Sequence, residues 1–445
     1  MNYAWLLWQL YRKKQLMKKP QEQVQTLQEK KLRKILLYAY EHSAYYREAF
    51  ESAGITSDRI GTTPLERFPT LNKELLLEHY DEIVTDPNVR QSDLRRFGER
   101  SSDSAECYLG KYHVVHSSGS TGIPRYFLYD ERAWEEVILS VVHGALWDLS
   151  FRDVLRLLAR KPRILYIAAT DGRYGGAMAV HDGIQGVRAE QRFLDIDTPL
   201  SKWLEAVQEF RPNIIIGYPS AIKIFAELIE TEKAANQMER VVTCGEPLTS
   251  GMRSYFESVF HAPVINYYGA SESLALGVEH NATDGMVLFD DMNRIELIDG
   301  EMYITCLYNF AQPLIRYHIS DKLIPRESNG GSHSVDVVLC REEDVLWFGT
   351  RNGREYLHPL SVEGLCVDGL LDYQFRKDSD RSFEMIAQLS DITLSNQVRQ
   401  AVTRQMRSVL EKNGLRDIAF TVRFVNQILP DPRTGKKSLI INGGI

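Results

Sequence analysis

A run of hydroxyl and glycine residues is the first segment whose residue types could do chemistry. It lies between two short stretches, YHVVHS and RYFLYD. Glycines let the backbone curl until several N–H groups face inward, and the hydroxyls add hydrogen-bond donors, so the loop suits phosphate oxygens. Taken alone, such a run is more often a plain linker, and it lacks the G-x-x-x-x-G-K-[ST] pattern. The residues are Ser117, Ser118, Gly119, Ser120, Thr121 and Gly122.

Two further segments place aromatic or acidic side chains at the predicted end of a strand, where ligands of α/β sheets gather. In residues 266–272, which read NYYGASE, a tyrosine could stack on a base, and Glu272 could hold a magnesium ion that bridges phosphates. In residues 313–321, Asp321 could accept hydrogen bonds from both ribose hydroxyls. The alternatives are a solvated glutamate in a turn and an aspartate that caps a helix.

A lysine near the C-terminus supplies a movable positive charge. Lys436 follows a glycine in PRTGKK, residues 432–437. A lysine on such a loop can reach a phosphate or a carboxylate as a point charge. The alternative is a solvated basic turn, which is the commoner outcome for paired lysines.

The elements around these segments predict the fold class. Short apolar runs typical of buried parallel strands, RILYIAAT, NIIIGYP, RVVTCG and PVINYYG, alternate with helical stretches at 200–210, 220–235 and 249–260. This alternation predicts an α/β domain with a mostly parallel sheet. Residues 285–325 switch to short antiparallel strands, and the end of the chain reads as a small α+β domain. We place the boundary at about residue 341.

Composition and charge exclude several classes of protein. The 445 residues include 44% hydrophobic and 25% charged side chains, which is typical of a globular chain. A net charge of −7 argues against a nucleic-acid partner. The five cysteines are scattered and form no C-x-x-C pair, so we expect no structural zinc site or disulfide framework and a reducing, cytoplasmic location.

The first 20 residues allow two interpretations. An interfacial anchor would put Trp5, Leu6, Trp8 and Leu10 in the headgroup zone, with the basic residues after them on anionic lipid. A helix docked on its own domain is the interpretation we favour, because most amphipathic helices pack inward. We therefore expect at most peripheral membrane contact, through residues 1–20.

The order of the motifs resembles that of the adenylate-forming superfamily, and within it the phenylacetate–CoA ligase and CapK-like branch. The resemblance covers residues 28 to 440 and implies an α/β fold with a mobile C-terminal domain. It divides the chain into residues 1–340, which include a helical segment 1–100, and residues 341–445. The motifs are SSGSTGIPR, CGEPLTSGMR, NYYGASES, PLIRYHISD, CREED and PRTGKK.

The resemblance also implies a nucleotide site for ATP with Mg²⁺. Residues 117–122 would cradle the phosphates, Ser271 would lie near the reacting phosphate, Glu272 would bind magnesium and Asp321 would hold the ribose. Tyr268 would stack on adenine. The other residues placed in this site are Tyr267, Gly269, Gly245, Glu246 and Pro247.

Three residues of the C-terminal motifs carry roles that the resemblance implies. Arg341 matches the arginine of the hinge motif, Glu343 takes the pivot position, and Lys436 would enter the site for adenylation. The hinge motif usually begins Gly-Arg and pivots on Asp, so Cys340 and Glu343 depart from the pattern.

The activity implied is activation of a carboxylic acid as an acyl-AMP and its transfer to CoA. The altered hinge leaves open an amine or a carrier-protein thiol as acceptor, and a non-catalytic nucleotide-binding scaffold is a third hypothesis. We expect the acyl pocket among residues 171–181, 214–220 and 243–246, where Tyr174, Gly175 and Tyr218 could accept a flat acid. Ordinary packing of small residues against a sheet is the alternative.

Overall fold

The structure is a computed structural model of the 445-residue chain, and part of the chain is described. The described residues are 3–100, 106–116, 125–170, 173–183, 189–232, 236–246, 248, 250–281, 285–298, 301–319, 321–326, 333–338, 346–350, 353–357, 361–362, 365, 367, 369–389, 391–426, 428 and 440–441.

Six helices form the N-terminal segment, in line with the helical segment expected there. Helix α2 buries a stripe that includes Leu32, Leu36 and Ala39 at the 3.6-residue spacing of an amphipathic helix. Asn72 accepts a hydrogen bond from the Leu75 amide and caps α4. The helices are α1 (Tyr3–Met17), α2 (Gln21–His42), α3 (Ala44–Ser52), α4 (Lys73–Glu78), α5 (Tyr80–Ile83) and α6 (Gln91–Arg100).

Helix α1 is docked on the body of the protein, as we favoured from the sequence. Leu6 faces inward and is buried. The Lys13 ammonium lies 3.1 Å from the Asp291 carboxylate and 3.5 Å from that of Glu136. Within the described ranges, no helix is long and apolar enough to cross a membrane.

A hairpin and two helices follow. Strands β1 (Tyr112–His116) and β2 (Tyr126–Asp130) pair antiparallel, so the hydroxyl-rich run lies between two paired strands, as the sequence predicts. Asp130 accepts a hydrogen bond from the Ala133 amide and starts α7 (Glu131–Ala145). Helix α8 (Phe151–Ala159) comes next.

A nine-stranded mixed sheet forms the centre of the molecule. Its order is β13-β14-β9-β8-β7-β6-β5-β3-β4, and β4, β3, β5, β6 and β7 run parallel. A second, three-stranded sheet has the order β10-β11-β12. The strands and helices are β3 (Arg163–Ala168), α9 (Gly175–Gly183), β4 (Glu190–Asp195), α10 (Leu200–Phe210), β5 (Ile214–Gly217), α11 (Pro219–Glu232), β6 (Arg240–Cys244), α12 (Ser250–Phe260), β7 (Val264–Ala270), β8 (Ser273–Glu279), β9 (Met286–Leu288), β10 (Asn293–Ile298), β11 (Glu301–Cys306), β12 (Tyr317–Ile319), β13 (Lys322–Arg326) and β14 (Ser334–Val338).

The sequence analysis predicted the four apolar parallel strands of the nine-stranded sheet and missed two other strands of that sheet, β4 and β8. Strand β4 lies at the sheet edge and reads EQRFLD, so a single buried leucine gives no apolar run. Strand β8 begins three residues after β7 ends, and the residues between them form the turn of an antiparallel hairpin. Residues 266–272 therefore do not end the sheet; they lead into its next strand.

The C-terminal residues build a separate hydrophobic core. Helix α13 buries Val398, Val402, Met406 and Leu410 in it, beside a four-stranded sheet of order β19-β18-β17-β20. The elements are β15 (Leu346–Thr350), β16 (Gly353–Leu357), β17 (Leu370–Ser379), β18 (Ser382–Leu389), α13 (Ser395–Lys412), β19 (Ala419–Val425) and β20 (Ile440–Ile441). The boundary at 341 lies outside the described residues and stays a prediction.

Candidate functional site

A cavity of about 260 Å³ opens at the carboxyl ends of β3, β5, β6 and β7, where ligands of parallel sheets bind. Tyr174 and Gly175, at the start of α9, lie opposite Tyr218, which follows β5. The structure thus brings together the three residues predicted for the acyl pocket. The lining is Val141, Ala145, Tyr166, Tyr174, Gly175, Gly176, Ala179, Val180, Ile216, Tyr218, Val242, Cys244, Gly245, Tyr267, Gly269, Ala270, Ser271 and Leu274.

Glycines give the cavity its shape because larger residues would fill it. Gly245 has φ of +78°, and a Cβ there would lie 2.7 Å from the Tyr218 ring. A Cβ on Gly176 would lie 2.7 Å from the Tyr166 hydroxyl oxygen. Among the residues that the structure describes, the lining contains no charged side chain. The cavity therefore suits the apolar body of a ligand whose charged end lies outside it.

The turn between β7 and β8 carries Ser271 and Glu272 to the mouth of this cavity. Ser271 belongs to the lining, and its Oγ donates a hydrogen bond to the His116 carbonyl oxygen across 3.4 Å. The Tyr129 hydroxyl donates to the Ser271 carbonyl oxygen at 2.8 Å. The turn is therefore held against the β1–β2 hairpin from both strands.

Glu272 makes an ion pair with the residue at the other end of the hydroxyl-rich run. Its Oε1 lies 3.3 Å from Arg125 Nη1, which also donates to the Tyr317 hydroxyl at 2.9 Å. Residues 117–124 lie outside the described part of the chain. The described residues on either side of that run, His116 and Arg125, therefore both contact the Ser271–Glu272 turn.

The environment of Glu272 suits a cation. Burial raises the pKa of its carboxyl, and the Arg125 charge opposes that rise. Over the described ranges, no group of three His, Cys, Asp or Glu side chains could hold a metal. Mg²⁺ is commonly bound through one or two carboxylates with substrate phosphates and water supplying its other ligands. One partly buried carboxylate, which could share a cation with substrate phosphates, fits that pattern.

Tyr268 and Asp321 form a second pair on the opposite face of β7. Successive strand residues point to opposite faces, so Tyr267 lines the cavity while Tyr268 faces away from it. The Tyr268 hydroxyl donates to Asp321 Oδ2 at 2.7 Å. Burial raises the pKa of Tyr268 well above its usual range, which keeps the phenol a donor. The bond orients the Asp321 carboxylate.

Glu246 serves a local structural purpose. Its carboxylate accepts hydrogen bonds from the Ser220 amide and hydroxyl, each at 2.9 Å, at the N-terminal end of α11. A carboxylate stabilises a helix there by satisfying an amide and by complementing the helix dipole. The predicted role of Glu246 in the nucleotide site rests on the resemblance and stays a prediction.

Several predicted site residues lie outside the described residues. Their roles stay predictions. They are Ser117, Ser118, Gly119, Ser120, Thr121, Gly122, Pro247, Arg341, Glu343 and Lys436.

Relatives of known name span most of the chain. The phenylacetate-coenzyme A ligase of Aromatoleum evansii is 24% identical over 431 residues, which cover 90% of this chain and 88% of that protein. Protein CapK of Staphylococcus aureus is 19% identical and covers 94% of this chain and 88% of that protein. The chain is similar to phenylacetate-coenzyme A ligases along most of its length. The resemblance stated from the motif order is thereby confirmed.

A solved structure shares the fold of this chain. 2-Hydroxyisobutyryl-CoA ligase, in complex with 2-HIB-AMP and CoA in the thioesterification state, has a TM-score of 0.61 at 19% identity. The comparison covers 95% of this chain and 90% of the other. The predicted α/β fold of an adenylate-forming enzyme is therefore confirmed. No protein-family model matches the sequence.

The structure adds residues to the site that the sequence analysis did not place there. Tyr166 lines the cavity, although it lies in an apolar strand that indicates a core position. Arg125 pairs with Glu272 and donates a hydrogen bond to the Tyr317 hydroxyl, and neither Arg125 nor Tyr317 was predicted. Arg125 lies three residues after Gly122, and this position in the sequence was the one available signal. The partner of Arg125 depends on the β7–β8 hairpin, which the sequence analysis missed.

Proposed function

We propose that this chain is an ATP-dependent ligase that activates a carboxylic acid as an acyl-AMP and transfers the acyl group to CoA. The observation that carries the proposal is the Ser271–Glu272 turn. Ser271 lines the cavity, whose described lining is uncharged, and the turn contacts His116 and Arg125, the described residues that flank the hydroxyl-rich run. Full-length similarity to phenylacetate-CoA ligases supports the same activity.

The arrangement fits an acid whose body occupies the cavity and whose carboxylate meets ATP at its mouth. In the first step a carboxylate oxygen attacks the α-phosphorus, the bond to the bridging oxygen of pyrophosphate breaks, and pyrophosphate leaves. In the second, the CoA sulfur attacks the acyl carbonyl carbon, a proton leaves the thiol, and AMP departs. Both reactants of the first step are anions, so fixed positive charge is required.

The polar groups divide this work between them. Glu272 would hold Mg²⁺, which offsets phosphate charge when bound. Asp321, oriented by Tyr268, would accept the ribose hydroxyls. Arg125 holds Glu272 and Tyr317 together. The uncharged cavity, once closed over the acid, would keep water from the acyl-AMP.

The acceptor and the location are further parts of the proposal. CoA is the acceptor we propose, and an amine or a carrier-protein thiol is the alternative. The two acceptors are distinguished by mixing the activated acid with CoA and measuring the CoA thioester by mass spectrometry. A clear thioester product would support CoA as the acceptor. We propose that the protein is soluble and lies in the cytoplasm, with peripheral contact to a membrane.

Lys436→Ala is expected to lower carboxylate-dependent exchange of pyrophosphate into ATP by about 100-fold or more, because a fixed positive charge at the reacting phosphate is lost. Exchange is measured with pooled acids, and acyl-AMP is identified by mass spectrometry. Lys437→Ala is the matched control and should keep its activity. No exchange with any acid, or equal exchange by Lys436→Ala and wild type, would contradict the proposed function.

Tyr174→Ala is expected to enlarge the cavity and shift selectivity toward bulkier acids by about 10- to 100-fold in the ratio of kcat/KM values. Tyr174 lines the cavity and lies against His116, with ring centroids 4.6 Å apart. Tyr303, a half-buried tyrosine 5.2 Å from the His318 ring, lies outside the cavity and supplies the control Tyr303→Ala. Unchanged selectivity in Tyr174→Ala would contradict the assignment of this cavity as the acid-binding site.

A further inference from the structure

Helices α1 and α8 expose a cluster of large apolar side chains. Trp8 and Tyr11 are each 53% exposed, Phe151 is 52% exposed and Leu155 is 44% exposed. We call these four residues the α1–α8 surface. The other large apolar side chains of comparable exposure among the described residues lie on five separate segments: Leu37, Leu109, Leu297, Ile324 and Ile392. Exposed apolar surface is thus concentrated at this place.

A shallow groove joins the two helices into one surface. Tyr11 from α1 and Phe151 from α8 both line it, together with Leu7 and Leu10. Its volume is about 50 Å³, whereas small-molecule sites occupy roughly 300–1,000 Å³. The groove is therefore too small for a ligand site, and its aromatic rims are available to a larger partner.

The orientation of α1 is fixed by its contacts with the body. The two ion pairs of Lys13 and the buried Leu6 hold one face inward. Trp8, Tyr11 and Arg12 recur at helical spacing on the outward face, and the Arg12 guanidinium lies 4.7 Å from the Trp8 ring centroid. Leu6, which the anchor hypothesis placed in the headgroup zone, is instead buried against the body of the protein.

Charge distinguishes this surface from the rest of the chain. Residues 3–19 contain five Lys or Arg and no Asp or Glu, and residues 150–161 contain four Lys or Arg and one Asp, while the whole chain has a net charge of −7. That aspartate, Asp153, lies 3.2 Å from the Arg156 guanidinium. Glu136, which α7 brings near α1, pairs with Lys13. The surface is therefore cationic and aromatic on an acidic protein.

We propose that the α1–α8 surface docks on the headgroup region of an anionic phospholipid bilayer. Exposed Trp and Tyr rings favour the membrane–water interface, and nearby Lys and Arg are attracted by anionic lipid. A second copy of this chain is a poor partner, because pairing like surfaces would bring their cations together. The enzyme would thus work at a lipid surface without inserting a helix across it.

Sedimentation with vesicles tests the proposal on the full chain. Wild type is expected to bind vesicles of phosphatidylcholine mixed with phosphatidylglycerol and not phosphatidylcholine alone, and added salt should weaken binding. The double variant Trp8→Ser/Tyr11→Ser is expected to lose binding. Lys18→Gln/Lys19→Gln should weaken it about 25-fold, since each cation near the surface contributes a factor of about five.

Controls separate binding from folding. Ile392→Ser changes an equally exposed residue elsewhere and should bind as wild type does. Thermal unfolding and pyrophosphate exchange without lipid should be unchanged in Trp8→Ser/Tyr11→Ser. Absence of binding by wild type, or binding kept by that double variant, would overturn the proposal. A self-association that the double variant abolishes, without vesicle binding, would assign the surface to a second copy instead.

Discussion

Replacing Glu272 with Gln is expected to slow acyl-adenylate formation about 100- to 1,000-fold, with loss of the Mg²⁺ dependence. Gln has the shape of Glu without its charge, so it cannot hold the cation as a carboxylate does. Burial already raises the pKa of Glu272, and a neutral side chain there therefore disturbs the fold only modestly. We expect the free energy of unfolding to fall by about 1–2 kcal/mol.

Glu296 provides a matched control for this experiment. It is also a partly buried carboxylate with a raised pKa, and its Oε2 lies 3.1 Å from Arg316 Nε. Glu296→Gln should therefore lose similar stability and keep adenylation. Exchange kinetics at graded magnesium concentrations and thermal unfolding of both variants make the comparison. If Glu272→Gln adenylates at the wild-type rate, Glu272 does not hold the metal.

Asp321→Ala is expected to raise KM for ATP about 100-fold with a smaller effect on kcat. Two hydrogen bonds from ribose hydroxyls to one carboxylate would be lost, and bonds to charged groups contribute about 1.5–3 kcal/mol each. Binding that is equal in the ground and transition states affects KM and spares kcat. Steady-state kinetics with ATP varied and the acid saturating measure the change.

Tyr268→Phe gives a graded version of the same test. It removes the hydroxyl 2.7 Å from Asp321 Oδ2 but keeps the carboxylate, so KM for ATP should rise only about fivefold. Tyr308→Phe is the control, because that buried hydroxyl lies 3.1 Å from Ser273 Oγ rather than beside Asp321. A normal KM in Asp321→Ala would refute the ribose role.

The parallel strands of this protein were predictable because each is a short apolar run buried on both faces. Strand β4 escaped prediction because an edge strand needs no such run and has polar residues instead. The β17–β18 hairpin, also missed, carries charged residues such as Arg376 and Glu384, which pair with each other at 2.8 Å. In β18, residues 383–387 are all buried, but Glu384 interrupts the apolar run, so the local pattern does not indicate a buried strand.

The sequence by itself was enough to predict the fold class and the candidate nucleotide and acyl residues, because the order of the motifs is a property of the sequence alone. Only the tertiary structure decided which groups meet. Glu272 pairs with Arg125 across 147 residues of sequence, and Tyr268 bonds Asp321 across 53. It also decided which side of α1 faces solvent, since the ion pair of Lys13 with Asp291 forms between residues 278 positions apart. Such contacts depend on strand pairing and packing between distant segments, which no local pattern encodes.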